Sequence, residues 1–279
     1  MAGAMAIEAE RHDFETRIFV NGFPKSGTHL LCLMINPIAR PVPGEGMWRL
    51  PWSGNFMGNA WTEEEGRIEH AAFRLARVRA GYFIRGHMGY SEDMERFMYL
   101  LGIAHLFIYR DFRDVAVSQT FHIFNEDDNR FAHPDKKLYT DMGFDDALKA
   151  VITGVGRFSG VMDRWRHYAP WLDIDWVHSV SFEDIMANPH GETEDILRYA
   201  VNRIATIFGK EAQFDPVGLE IIVDQMVATS ERRELSPTFR KGKVGSWRDH
   251  FTEEHKELFK QSDKDNWLVR LGYESDGGW

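Results

Sequence analysis

Short apolar runs alternate with longer amphipathic stretches along the chain. Four runs rich in β-branched and aromatic residues, Arg17 to Val20, Tyr82 to Arg85, Ala104 to Tyr109 and Ile174 to Val180, read as buried strands. A 3.6-residue apolar period over Glu63 to Arg79, Ser91 to Leu101, Asp114 to Phe124, Phe144 to Tyr168 and Thr193 to Phe208 predicts helices. Strand then helix, repeated, predicts an α/β fold with a central, mostly parallel sheet between two helical layers, a three-layer αβα arrangement. Two segments break the rhythm. Residues 37 to 61 hold four prolines, four glycines and three tryptophans, and residues 125 to 143 are polar. Loops of this length in an α/β domain more often serve function than spacing. No composition shift marks a boundary, so residues 1–279 read as a single domain, with 1–13 as a flexible N-terminal segment.

Composition narrows the classes. With 43% hydrophobic and 27% charged residues, the chain matches an ordinary globular protein with a sizeable core. Its formal charge of −10 argues against general nucleic-acid binding, which needs a basic excess, so any anion must be met by local clusters. The one cysteine, Cys32, permits no internal disulfide and suits a reducing compartment; within the apolar run Leu30 to Ile35 it reads as a small buried hydrophobe. That run is too short to span a bilayer, and the first residues lack the basic-then-apolar pattern of a secretory signal. A cytoplasmic protein without a membrane anchor is expected.

Directly after the first strand stands NGFPKSGTHL, residues 21 to 30. Gly22 and Gly27 have the spacing of a phosphate-binding GxxxxGK[ST] loop, but Thr28 occupies the lysine position and the lysine is Lys25. A strand-to-helix loop still points backbone N–H groups and a positive dipole end at a ligand. A phosphate-like anion without the usual nucleotide-hydrolase metal arrangement is therefore expected. The nearest carboxylate at a strand end, in Ile108-Tyr109-Arg110-Asp111, is preceded by an arginine.

These residues resemble a known family. PKSGTHL is similar to the phosphosulfate loop PKSGTxxL of sulfotransferases that use 3′-phosphoadenosine 5′-phosphosulfate, PAPS. YRDFRDVAVS, residues 109 to 118, resembles the family's 3′-phosphate segment, with Arg110 and Ser118 eight positions apart. RKGKVGSWRDHFT, residues 240 to 252, resembles its RKGxxGxWxxxFT signature. Taken alone, Arg110, Asp111, Arg113 and Asp114 could be a solvated charge array at a helix start, and Lys241 and Lys243 ordinary surface lysines. Locality favours the anion site: residues 232 to 248 carry six Lys/Arg and one acidic residue, Glu234, in an acidic chain.

The resemblance implies sulfuryl transfer from PAPS, leaving adenosine 3′,5′-bisphosphate, in line and without a metal. It implies that Lys25 neutralises charge on the departing oxygen, that Ser26, Gly27, Thr28 and His29 give donors to the 5′-phosphate, and that Arg110, Ser118, Arg240, Lys241 and Gly242 hold the 3′-phosphate end. YFIRGHMGYS, residues 82 to 91, resembles the family's K-T-H-L-P segment and places His87 as general base, with Arg85 as a second cation. His122 and His29 stand in reserve. HSVSFEDIMANP resembles the family's YED segment with Phe182 as the ring at the adenine, while Leu30 replaces the usual tryptophan. Trp247 reads as a loop anchor. The acceptor is expected to be a small molecule, either flat and apolar against Trp48, Trp52, Phe56 and Trp61, or cationic against Glu45, Asp127 and Asp128. Of the dimer motif KxxxTVxxxE, Arg248, Thr252 and Glu257 fit but Glu253 replaces the valine, so a monomer or weak homodimer is expected. Rival readings are a nucleotide kinase or NTPase, and an inactive protein that binds adenosine bisphosphate.

Overall fold

Alternation of apolar side chains along the strands decides which helices cover which face. The structure is a computed structural model that describes residues 16–42, 56–58, 68–124, 136–207, 212–232 and 242–279, with the side chains of 56–58, 68–70, 204, 206 and 207 left out of account. In chain order its elements are β1 (Arg17–Gly22), α1 (Thr28–Ile35), β2 (Arg40–Pro41), β3 (Phe56–Gly58), α2 (Ile68–Ala76), β4 (Tyr82–His87), α3 (Glu92–Leu100), β5 (Ile103–Tyr109) and α4 (Phe112–Phe124). There follow α5 (Lys136–Met142), α6 (Phe144–Thr153), a hairpin of β6 (Gly154–Val155) and β7 (Phe158–Ser159), α7 (Val161–Trp165), β8 (His178–Ser181) and α8 (Phe182–Ala187). The chain ends with α9 (Pro189–Ile207), α10 (Pro216–Ser230), α11 (Glu253–Ser262) and α12 (Trp267–Arg270).

The main sheet is parallel throughout and runs β2, β4, β1, β5, β8, with β3 also pairing with β4. Ile18, Val20, Phe83, Leu106 and Ile108 share one apolar layer with α1, α9 and α10, whereas Phe19, Ile84 and Phe107 share the other with α3, α4, α6, α7 and α11. Period-two strands buried on both faces give the expected three layers. Among the described residues, no helix is long and apolar enough to cross a membrane.

Several expected boundaries move. The helix read over Phe144 to Tyr168 is broken at Gly154, whose φ of 93° and missing Cβ let the chain double back; a Cβ there would sit 2.9 Å from Gly160 N. The strand read over Ile174 to Val180 begins only at His178, because Val177 N bonds back to Ile174 O at 2.9 Å in a turn. The polar stretch 125 to 143 contains α5, and the segment 37 to 61 contributes β2 and β3. The segment 1–13 lies outside the described residues, as do Glu45, Trp48, Trp52, Trp61, Asp127 and Asp128.

Parallel strands end on one side. The carboxyl ends of β1, β4, β5 and β8 carry the loop 23–27, His87, Arg110 and Phe182, respectively, at the edge where open α/β sheets take ligands.

Candidate active site

The turn from β1 into α1 is held by Phe23 N on Ile108 O at 3.0 Å and Ser26 N on Phe23 O at 3.1 Å. Both glycines are required sterically. A Cβ on Gly22 would stand 2.6 Å from Thr28 Oγ1, and one on Gly27, whose φ is 105°, would stand 2.8 Å from Phe182 Cδ2. Lys25 itself has a φ of 70°, a strained value for a side-chain-bearing residue of the kind concentrated at ligand sites. The hydroxyls of Ser26 and Thr28 are buried and make no hydrogen bond among the described residues. A buried polar group without a partner is destabilising by about 1–3 kcal/mol, so two side by side at a helix start call for an external acceptor. The first turn of α1 has no acidic residue and no side-chain cap.

His87 closes β4 beside this loop. Its Nδ1–H donates to Gly22 O at 2.7 Å, which leaves Nε2 as the proton-accepting nitrogen. Burial lowers its pKa to about 4, against the Gly22 hydrogen bond and with help from the cations Arg85, Lys25 and Arg164. Burial likewise holds His29 well below the usual histidine range, with Arg85, Lys25, His87 and His122 adding to the effect. Lys25, His29, Arg85 and His87 are thus mutual neighbours, and His122, half-buried on α4, joins them. Arg85 is buried, and desolvation lowers its pKa too. Cys32 on α1 is buried with its thiol pushed up to about 12, chiefly by desolvation, so it is an inert hydrophobe, as expected.

Residues that sequence reasoning did not find position the histidine. Asn21 Nδ2 donates to Met88 O and Met88 N donates to Asn21 Oδ1, both at 2.9 Å. Trp171 Nε1 reaches the same Met88 oxygen at 3.0 Å, and Tyr168 Oη donates to His87 O at 3.1 Å. The signal available for Asn21 was a polar residue interrupting the end of an apolar strand.

Across β5 lies a second cationic group. Arg110, Asp111, Arg113 and Asp114 are 7, 5, 1 and 0% exposed, so the alternative of a solvated charge array is excluded. Asp114 accepts four hydrogen bonds: Arg110 Nη2 at 3.0 Å and Gly245 N at 2.8 Å on Oδ2, Ser246 Oγ at 3.0 Å and Trp247 N at 2.8 Å on Oδ1. Arg110 Nη2 also donates to Lys243 O at 2.8 Å. Arg113 is gripped by Asp111 and Glu274 and lies between the Trp247 and Trp279 rings, 3.9 and 4.4 Å from their centroids. Trp247 is therefore a loop anchor. The Arg110 guanidinium lies 4.4 Å from the Phe182 ring centroid, and the same ring backs Gly27, so Phe182 joins the two halves of the site. Ser118 is half-buried, one helical turn beyond Asp114. Gly242 has a φ of 58°, while Arg240 and Lys241 lie outside the described residues.

The chain matches a family model described as the sulfotransferase domain over residues 15–266. No curated protein sequence matches it significantly. Among solved structures it is similar to mouse sulfotransferase SULT7A1 complexed with PAP, with 18% identity, a TM-score of 0.55, and coverage of 95% of this chain and 91% of that one. It is also similar to retinol dehydratase in complex with androsterone and the inactive cofactor PAP, with 18% identity, a TM-score of 0.52, and coverage of 91% and 81%. The complex of retinol dehydratase with retinol and PAP aligns equally, at 18% identity and a TM-score of 0.52, covering 91% of this chain and 83% of that one.

Proposed function

The chain belongs to the sulfotransferase family and is a sulfuryl-transfer enzyme; on that premise we propose that it sulfonates a hydroxyl or amine of a small-molecule acceptor, with PAPS as donor and His87 as general base. One observation carries the reading most directly. The 2.7 Å bond from His87 Nδ1 to Gly22 O ties the base to the anion loop and turns Nε2 toward proton-accepting duty.

PAPS supplies the activated sulfuryl group and its phosphate leaving group. Lys25 and the donors of Ser26, Gly27, Thr28 and His29 hold the 5′-phosphate, and Lys25 stabilises the negative charge that grows there during transfer. The displacement proceeds in line, with the acceptor oxygen opposite the departing phosphate. His87 takes the acceptor's proton on Nε2, and burial, helped by Arg85, keeps that imidazole neutral beforehand. Arg110, Ser118, Arg240, Lys241 and Gly242 receive the 3′-phosphate, and Phe182 stiffens Arg110 from beneath while reaching toward adenine. The ligands named for retinol dehydratase, androsterone and retinol, support an apolar acceptor.

The two apolar layers on one sheet support a single domain, proposed for residues 1–279; a cytoplasmic location and a monomeric or weakly dimeric state are proposed from the sequence alone. Thr252 caps α11 through His255 and Glu253 pairs with Lys256, which commits two positions of the dimer motif to local structure. A kinase or NTPase reading lacks a lysine at Thr28.

Thermal melting with adenosine 3′,5′-bisphosphate, with ATP plus Mg²⁺, and without ligand tests the donor. The bisphosphate should stabilise by about RT ln(1+[L]/Kd) and ATP with Mg²⁺ by less. Screening phenols, alcohols and amines with PAPS by mass spectrometry then finds the acceptor. Greater stabilisation by ATP with Mg²⁺ would overturn the proposal.

A further inference from the structure

Arg110 is held between two carboxylates before any ligand arrives. Asp114 takes its Nη2 at 3.0 Å, and Glu183 Oε1 stands 3.9 Å from its Nε. That Nε is buried and makes no hydrogen bond among the described residues, so an anion drawn against the Nε edge would satisfy it. That edge is also the face nearest Glu183. A dianionic phosphate arriving there meets one guanidinium whose charge is already countered twice.

The two carboxylates differ in what holds their charge. Asp114 accepts from four donors and has no exposure. Glu183 has weaker support: its own backbone amide, Asp111 N at 3.3 Å on Oε1 and Tyr273 Oη at 2.9 Å on Oε2. Facing it are Arg110 and Asp111 from the segment after β5, Tyr273 from the C-terminal segment, and Tyr109 at the end of β5, whose hydroxyl also feels Asp184 and Glu192. Arg113 sits one contact further out, on Asp111, and Glu274 lies beyond it, on Arg113. We propose that a phosphate bound at Arg110 is accompanied by transfer of one proton from solvent to the Glu183 carboxylate, making Glu183 a proton-linked positioning residue of the nucleotide site. This rests on the reading that Arg110 receives the 3′-phosphate.

Protonation keeps both contacts of Glu183, since a neutral Oε2–H donates to the Tyr273 oxygen, whose own proton turns away, while Oε1 still accepts from Asp111 N. Desolvation already raises Glu183 to about 7, against the opposing pull of its own backbone amide, Arg110, Tyr273 and the Asp111 amide. Near pH 8 the free site is mostly ionised, and binding should take up about 0.9 proton.

The test is calorimetry near pH 8 with adenosine 3′,5′-bisphosphate and with 5′-AMP, in buffers of high and low ionisation enthalpy. At that pH the ligand phosphates are themselves fully ionised. Wild type should take up about 0.9 proton with the bisphosphate and almost none with 5′-AMP, and its affinity should fall about tenfold per pH unit above 8. Glu183→Gln, which keeps the shape and one acceptor, should bind with no uptake and a flat pH dependence. Bisphosphate binding that is tighter than 5′-AMP but free of proton uptake, or uptake that persists in Glu183→Gln, overturns the inference while leaving the 3′-phosphate assignment standing. Equal binding of the two nucleotides overturns the assignment itself. The wild-type measurement alone decides should the variant not fold.

Discussion

Replacing Asp114 by Asn changes one atom at the point where α4 holds the Lys243–Asp249 segment. The carboxylate divides its work evenly, with Arg110 Nη2 and Gly245 N on Oδ2, and Ser246 Oγ and Trp247 N on Oδ1. An amide offers one oxygen, so its NH₂ must face one of these donor pairs whichever way it turns. Two buried donors then lose their acceptor, at about 1–3 kcal/mol each, and the Arg110 ion pair is broken, for which 3–5 kcal/mol is usual. These overlap, and a loss of about 4 kcal/mol is expected, a large part of a typical 5–15 kcal/mol total. Urea denaturation should show a lower midpoint at unchanged slope. Should the segment release locally instead, the midpoint holds and amide exchange at Gly245 and Trp247 accelerates by about 10³-fold. A midpoint shift worth less than about 1 kcal/mol together with unchanged exchange at both amides would refute the account of Asp114.

Three further outcomes follow from the same geometry. Lys25→Ala should lower kcat by about 10² or more, measured on any acceptor found by the screen, and retention of half the activity would remove Lys25 from charge stabilisation. His87, with a pKa of about 4 rather than the ordinary 6.5, should show a flat ring-proton NMR signal between pH 5.5 and 8 in the free protein, identified by its loss in His87→Asn; a midpoint between 6 and 7 would contradict the burial argument. His105, buried among Phe19, Phe107, Trp171 and Trp176, has its pKa lowered to about 3 by desolvation, so the native state excludes the proton that the unfolded chain binds below about 6.5. Its stabilising contribution is present above 6.5 and lost as pH falls towards 3, about 2 kcal/mol of it between pH 7 and 5; His105→Phe should reduce the slope of the urea midpoint over that window, with the shares of His29 and His87 remaining, and a slope parallel to wild type would be the contrary result.

Local pattern carried the elements whose surroundings are symmetric. The runs at Arg17, Tyr82 and Ala104 became β1, β4 and β5 nearly as read, because strands buried on both faces need continuous apolar sequence. Ile174 to Val177 is apolar for another reason: it packs as a turn, which periodicity cannot distinguish from a strand. Gly154, Gly156 and Gly160 interrupt the apolar period after α6, and Asp215-Pro216 supply the cap and first-turn proline that start α10. The motif residues Lys25 to His29, Arg85, His87 and Arg110 do meet at one end of the sheet. What holds them was not legible. Asn21 bonds to a residue 67 positions away, and Asp114 to residues 131 to 133 positions away, and a single sequence carries no mark of such pairings.

The separation of those partners also orders the site in time during synthesis. Gly22 and His87 are 65 residues apart, so the anion loop and its histidine can meet once β1, β4 and β5 have left the ribosome. The Asp114 bond to Gly245 spans 131 residues, which take roughly 10 s to translate at about 5–20 residues per second. Throughout that interval the nascent chain carries Arg110 without the segment that fixes it. A ribosome stalled before residue 243 would hold a chain with the sheet, the 23–27 loop and His87 in place, but with Asp114 still lacking its three partners from residues 245 to 247.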